Sequence, residues 1–210
     1  AGMTQAEEGS IFHPWGGGIR ELCERGFLCG TVSEEKAFRL CPAFTPMEEQ
    51  DALLEQTRRY FTNYGPASIR DAAYYFGSSQ AEIKKRLARL PVEVAEYEGQ
   101  RLFSLHSGRM PEQAIPDCLL LAGFDPLVLG YEKKQSIFLP QEYLRGIFSL
   151  SGIVMPPVLL HGSAAGRWKR SGKRLFVTQF RPFSREERGF VETAAAQLWG
   201  EAVQPVFQDA

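Results

Sequence analysis

The chain has 210 residues, a formal net charge of −1 and 44% hydrophobic residues, which suits a folded protein of one or two domains. With so little net charge, a nucleic-acid site must come from charge segregated along the chain, not from an overall excess. No run of about 18 apolar residues is present, and no basic region leads into an apolar stretch, so neither a membrane span nor a secretory signal is expected.

Residues 1–10 are small, polar and acidic and are expected to form a disordered tail. Gly16-Gly17-Gly18 lacks the Lys-Ser/Thr ending of a phosphate loop and is read as a flexible entry to a helix over 19–25, stopped by Gly26. Two strand-like runs, 27–31 and 37–41, flank the polar turn 32–36. Helix, glycine and hairpin make the back half of a winged helix, so residues 11–46 are expected to form a partial one.

Residues 42–46 are a proline-bounded linker, and the next unit is complete. A helix is predicted over 47–64, with Thr45 as its cap, Glu48, Glu49 and Asp51 in its first turn, and Arg58 and Arg59 in its last. Gly65-Pro66 breaks it. Ser68 caps a helix over 69–76, with Asp71 in capping-box position. Gly77-Ser78 makes the turn, Ser79 caps a third helix over 80–90, and Pro91 ends it. Runs 92–97 and 101–106 form a hairpin around Glu98-Gly99-Gln100. Three helices, a tight turn and a hairpin are the order of a winged helix-turn-helix, expected over 47–108.

From 109 onward, short runs (118–124, 136–139, 154–161, 166–170 and 174–180) are punctuated by Pro and Gly and predict a small closed or nearly closed barrel. Ser184, with Glu187 three residues on, opens a helix over 185–198, and 203–207 is a candidate last strand. The expected fold class is therefore α+β: a tandem winged helix, the first one partial, followed by a small β-barrel over 109–210 with a C-terminal helix.

Two basic features are candidate DNA contacts. The third helix of the winged unit carries Gln80, Lys84, Lys85 and Arg89, with Ile83, Leu87 and Leu90 turned inward; Arg101 of the hairpin joins them. Cations neutralise phosphates, and Gln or Arg can also address base edges. The plainer reading is a solvated basic face. The second feature is the stretch from His161 to Arg185, which holds seven Lys or Arg and no acid. Five of them, Arg167, Lys169, Arg170, Lys173 and Arg174, crowd one hairpin. Alternation puts Arg167 and Lys169 on one face and Trp168 and Arg170 on the other. Such a hairpin can lie along DNA, with counterion release supplying affinity; otherwise it is an edge kept soluble by its charges. Trp168 is read as core rather than as a wedge between bases.

Cys23, Cys29, Cys41 and Cys118 form no C-x-x-C pair, and the histidines do not stand at ligand spacing near them, so buried free thiols are expected and no metal. No nucleophile constellation appears. His161 could act as a base, but the sequence sets no acid beside it, and Asp125-Pro126 reads as a turn. No catalytic residue and no cofactor are assigned.

The segment from Tyr60 to Gly77, with its Y-x-x-x-G-P-A-S and D-x-x-x-Y-x-G pattern, resembles a bacterial winged-helix family that includes DNA glycosylases of the AlkZ/YcaQ type. Phe124-Asp125-Pro126-Leu127, the segment from Pro157 to Gly162, and Gly166-Arg167-Trp168-Lys169-Arg170 agree in order with later family motifs. The resemblance covers roughly residues 17–200. It implies tandem winged helices and a β-barrel clasping double-stranded DNA and, in the enzymes, metal-free hydrolysis of an N-glycosidic bond at a damaged purine. The family's glutamine-containing catalytic motif lies upstream of the part matched here, and Gln5-Ala6-Glu7 is not read as its counterpart. The function expected is duplex DNA binding, as the C-terminal portion of a glycosylase-like repair protein, by a cytoplasmic, nucleoid-associated monomer. The alternatives are a winged-helix transcription regulator and a protein-interaction scaffold.

Overall fold

A computed structural model describes residues 2–13, 17–33, 37–105, 115–200 and 202–209. Gly16, residues 34–36 of the expected turn and His106 at the end of the expected hairpin lie outside the described residues. The chain divides into two compact units, Ala1–Glu48 and Glu49–Ala210.

In the first unit, α1 (Gln5–Phe12) occupies the stretch expected to be a disordered tail. A reciprocal capping box starts it: Thr4 Oγ1 accepts from the Glu7 amide at 3.3 Å, and Glu7 Oε2 accepts from the Thr4 amide at 2.8 Å. α2 (Gly18–Glu24) and the antiparallel pair β1 (Leu28–Gly30) and β2 (Phe38–Leu40) follow in the predicted order. None of these four elements buries a side chain. Cys23, Cys29 and Cys41 are accordingly half-buried rather than buried, because a two-stranded ribbon covers little on its own. Only Cys118, in the second unit, is a buried thiol, and burial pushes it up to about 12.

The second unit opens with three helices: α3 (Glu49–Asn63), α4 (Ile69–Phe76) and α5 (Gln80–Leu87). α3 begins four residues past Thr45, too far for that side chain to cap it. Arg58 and Arg59 turn back onto Glu55, at 2.6 and 2.7 Å. Gly77 ends α4 in the left-handed region at φ 59°, as a glycine past a helix end does. The hairpin β3 (Glu93–Tyr97) and β4 (Gln100–Ser104) follows. Its two-residue turn holds Glu98 at φ 48° and Gly99 at φ 74°, both positive as a type I′ turn needs. Phe103 of β4 exchanges backbone hydrogen bonds with Ala67, which ties the hairpin to the start of α4. Phe61, Ala72, Ile83, Leu87 and Phe103 fill the core between these elements.

The remaining elements are a five-stranded sheet, β5 (Cys118–Leu120), β6 (Pro157–Leu160), β7 (Ser163–Ser171), β8 (Arg174–Gln179) and β9 (Gln204–Asp209), with the short helices α6 (Pro126–Leu129) and α7 (Leu144–Ile147) and the long α8 (Arg185–Trp199). The order is β5-β6-β7-β8-β9, antiparallel except for the parallel β8–β9 pair that α8 bridges. The sheet is open, with β5 and β9 at its edges; the described strands do not close into the expected barrel. Two features account for this. The 136–139 run forms no strand, and its Phe138 ring packs edge-on against Tyr131 at 5.0 Å. α8, opened by the predicted Ser184/Glu187 capping box, covers one whole face of the sheet through Val191, Ala194 and Ala195. Ile147 and Phe148 pack with Leu159 and Ala164 on the other face.

Residues 49–105 are joined to the sheet region by a buried polar seam. The Tyr60 hydroxyl donates to the Gly130 carbonyl at 2.7 Å, and the Tyr131 hydroxyl donates to the Tyr64 carbonyl at 2.7 Å. Asp71, 7% exposed, uses both carboxylate oxygens: Oδ2 accepts from the Ser68 amide and hydroxyl, and Oδ1 accepts from the Glu132 amide at 3.0 Å. A Cβ on Gly130 would lie 2.4 Å from the Tyr64 ring, so this approach requires glycine. Replacing Asp71 by Ala strands two amides and a hydroxyl, and should lower unfolding free energy by about 2–4 kcal/mol. Chemical denaturation of the two proteins measures it, and a loss within about 0.5 kcal/mol would show that the seam contributes little.

Candidate nucleic-acid interface

α5 buries Ile83 and Leu87 and leaves Gln80, Lys84 and Lys85 exposed. The helix ends at Leu87, so Arg89 stands just beyond it, with its guanidinium 3.9 Å from Asp51. Arg101 lies opposite Glu96 across the hairpin and stacks over the Phe103 ring at 5.7 Å. β3 is exposed along its whole length and carries Glu93 and Glu96, with Glu98 in the turn. The three-helix segment and its hairpin thus carry acids as well as the cations of α5, and counting cations alone overlooks them.

The β7–β8 hairpin follows the predicted alternation. Trp168 and Arg170 face α8: the Trp168 indole is 5.2 Å from that of Trp199, its Nε1 donates to the Leu121 carbonyl at 2.8 Å, and Arg170 lies 5.3 Å over the Trp199 ring. Trp168 is thus half-buried and packed against the core. Arg167 and Lys169 face the other way, and Arg167 reaches the Gly146 carbonyl at 3.4 Å. Gly172, at φ 58°, turns the chain, with Lys173 in the loop and Arg174 opening β8.

The structure removes one cation from the basic stretch. Arg181 is bound through both terminal nitrogens by Glu187 of α8. It also supplies the acid that the sequence does not set beside His161: Asp117 Oδ1 lies 3.6 Å from His161 Nδ1, both side chains being more than half exposed. His161 holds φ 49° in the turn between β6 and β7. Asp125 caps α6 through the Leu127 amide at 2.9 Å. Among the described residues no group of three His, Cys, Asp or Glu is placed to hold a metal, and no helix is long and apolar enough to cross a membrane.

Ala164 ties β7 to Phe138 at the edge of the three-helix core, through a 2.8 Å backbone hydrogen bond. From there β7 runs seven residues to Ser171, which at about 3.3 Å per residue carries the hairpin tip about 23 Å away.

A family model described as DNA glycosylase AlkZ-like matches residues 22–200, which takes in α5 and the whole hairpin. The chain belongs to the AlkZ-like DNA glycosylase family. An interstrand DNA cross-link repair glycosylase from Streptomyces sahachiroi is 28% identical to this AlkZ-like chain over 200 residues, which cover 88% of this chain and 54% of that protein. The solved structure of Streptomyces sahachiroi DNA glycosylase AlkZ shares the mixed α+β fold with a TM-score of 0.74 at 22% identity, over 95% of this chain and 59% of that one. The AlkZ-like chain therefore spans a little over half the length of these relatives.

The Arg181–Glu187 pair gives the hairpin region of the AlkZ-like chain a pH signature. The Arg181 guanidinium, against opposing burial, holds the Glu187 carboxyl down to about 2, with help from the Ser184 amide. Since the folded value lies below the ordinary carboxylate value, the contribution is complete above about pH 4.5 and is lost as pH falls through about 2. Glu187→Gln should therefore be less stable than the parent at pH 6, with the gap narrowing towards pH 2.5. Urea midpoints at the two pH values test this; a gap that does not shrink would mean the carboxylate's charge is not what the variant loses.

Proposed function

We propose that this chain binds double-stranded DNA, as the DNA-holding part of an AlkZ-like repair protein. The observation that carries the reading is the β7–β8 hairpin: five cations lie within nine residues on a strand pair anchored to α8 from behind, in a molecule whose net charge is slightly negative. Phosphates are the partner such a hairpin fits, because each one neutralised releases counterions. Lys84, Lys85 and Gln80 on α5 supply a second footprint in the position of a winged-helix recognition helix. The glycosylase activity in the relative's name belongs to a protein nearly twice the length of the matched part, and no residue of this chain is assigned to it.

Binding to an undamaged duplex should weaken steeply with salt. Each phosphate contact contributes a slope of about −0.9 in log K against log salt. Replacing Lys169, Arg170, Lys173 and Arg174 together by Ala should flatten the slope by up to about 3–4. A parent slope near zero would overturn the reading. Lys84→Ala with Lys85→Ala should flatten it by up to about 2; an unchanged slope removes α5 from the interface and leaves the hairpin alone.

One observation favours a different role for the three-helix segment. β3 is an exposed edge with Glu93 and Glu96 on it, and Val94 and Tyr97 uncovered, a surface better suited to a protein than to a phosphate backbone. Undiminished duplex affinity on Glu93→Lys with Glu96→Lys would fit that role; a gain in affinity would place DNA against the strand.

A further inference from the structure

The sheet face opposite α8 carries a feature that duplex binding does not use. Strand register sets Lys169 directly opposite Phe176, Arg167 opposite Thr178, and Thr178 beside Gln208 on β9. These side chains point away from α8, since their neighbours Trp168, Leu175, Val177 and Phe207 pack with the α8 core. They line a cleft of about 550 Å³. Phe176 is half-buried in its floor, and Gln208 Nε2 donates to Thr178 Oγ1 there at 3.0 Å. Arg174 stands two residues before Phe176 on the same face. None of the positions that β7, β8 and β9 present on this face between Arg167 and Arg174 is acidic.

We propose that this face holds a single strand of nucleic acid, with a base stacked on Phe176 and the backbone running past Arg167, Lys169 and Arg174. Successive same-face residues on a strand are about 6.7 Å apart and neighbouring strands about 4.8 Å, so the cations flank the ring at phosphate-to-base distances. A ring lying in the floor of a sheet cleft has nothing to stack on in a duplex, whose bases show only their edges in the grooves. An unpaired strand offers the face of every base, and an aromatic floor between cations is the arrangement that binds it with little sequence preference. The Thr178–Gln208 pair adds hydroxyl and amide groups at the height of a base edge. An acidic peptide would satisfy the cations but would leave the ring without a planar partner. The inference deepens the DNA-binding reading and rests on it; it names the strand state that the Phe176 floor takes, while Lys169 and Arg174 serve the phosphates of either strand state.

The test measures anisotropy of a labelled oligothymidylate and of a labelled duplex with the full chain, with poly-glutamate as competitor. The parent should bind both DNAs. Phe176→Leu, which keeps an apolar filler but no π-face, should weaken oligothymidylate binding on the order of ten-fold or more and leave duplex binding within about two-fold. Phe176→Trp should restore single-strand binding. Thermal melting checks that both variants fold; should Phe176→Leu not, Phe176→Tyr, which must retain the affinity, and quenching of the Phe176→Trp indole by oligothymidylate decide. Duplex binding without oligothymidylate binding, an unchanged affinity in Phe176→Leu, or an unquenched indole overturns the inference alone. Displacement by poly-glutamate as effective as by DNA overturns it in favour of a general anion surface. Absence of binding to either DNA overturns the underlying reading as well.

Discussion

The second unit depends on one carboxylate. Asp71 lies in the first turn of α4, where its Oδ2 satisfies the Ser68 amide and hydroxyl, and its other oxygen reaches 61 residues along the chain to the Glu132 amide. A local cap thereby becomes a long-range tie. The hydroxyls of Tyr60 and Tyr131 lie beside it, and burial together with the Asp71 charge drives both phenols upward, Tyr131 to about 12. Phenols held in that state remain donors at physiological pH, and each donates to a backbone carbonyl across the seam. A buried polar network is favourable only when its members are all partnered. Here the partners come from both sides, so the three-helix segment and the sheet region fold as one unit.

That dual role marks where the sequence stops being informative. Ser68 with Asp71 and Ser184 with Glu187 are visible as capping pairs because a cap needs only residues three apart. Gly77 and Gly172 stand where positive φ is needed, and strand alternation alone puts Trp168 and Arg170 on one face, which in the structure meets α8. What escapes local reading is non-local. The second bond of Asp71 and the His161–Asp117 contact, whose partners lie 44 positions apart, both depend on how distant elements meet. Sheet closure is not legible locally for the same reason, and the described strands form an open order. An apolar run such as 136–139 satisfies a strand pattern and a packing loop equally well, and the parallel β8–β9 pairing, made by a chain that returns after α8, has no local signature.

Charge is distributed so that the two faces of the molecule's basic elements do different work. The three-helix segment carries both the cations of α5 and the acids Glu93 and Glu96 of β3, so its summed field is mixed. Near the hairpin Glu187 is taken up by Arg181, while Lys169, Lys173 and Arg174 make no ion pair among the described residues. A slightly negative net charge then limits nonspecific adhesion, while the hairpin keeps its local potential.

Rigidity decides whether that potential is of use. Two-stranded hairpins are marginal on their own, and ordering long cationic side chains on binding costs about 0.5–1.5 kcal/mol each. The back of this hairpin is held by the Trp168 indole on Trp199, by the indole N–H on Leu121 and by Arg170 over the same Trp199 ring. Arg170 thus braces the anchor as well as adding charge, and Lys169 on the opposite face starts from a fixed backbone. The tryptophans therefore matter to the hairpin through the strand geometry they impose.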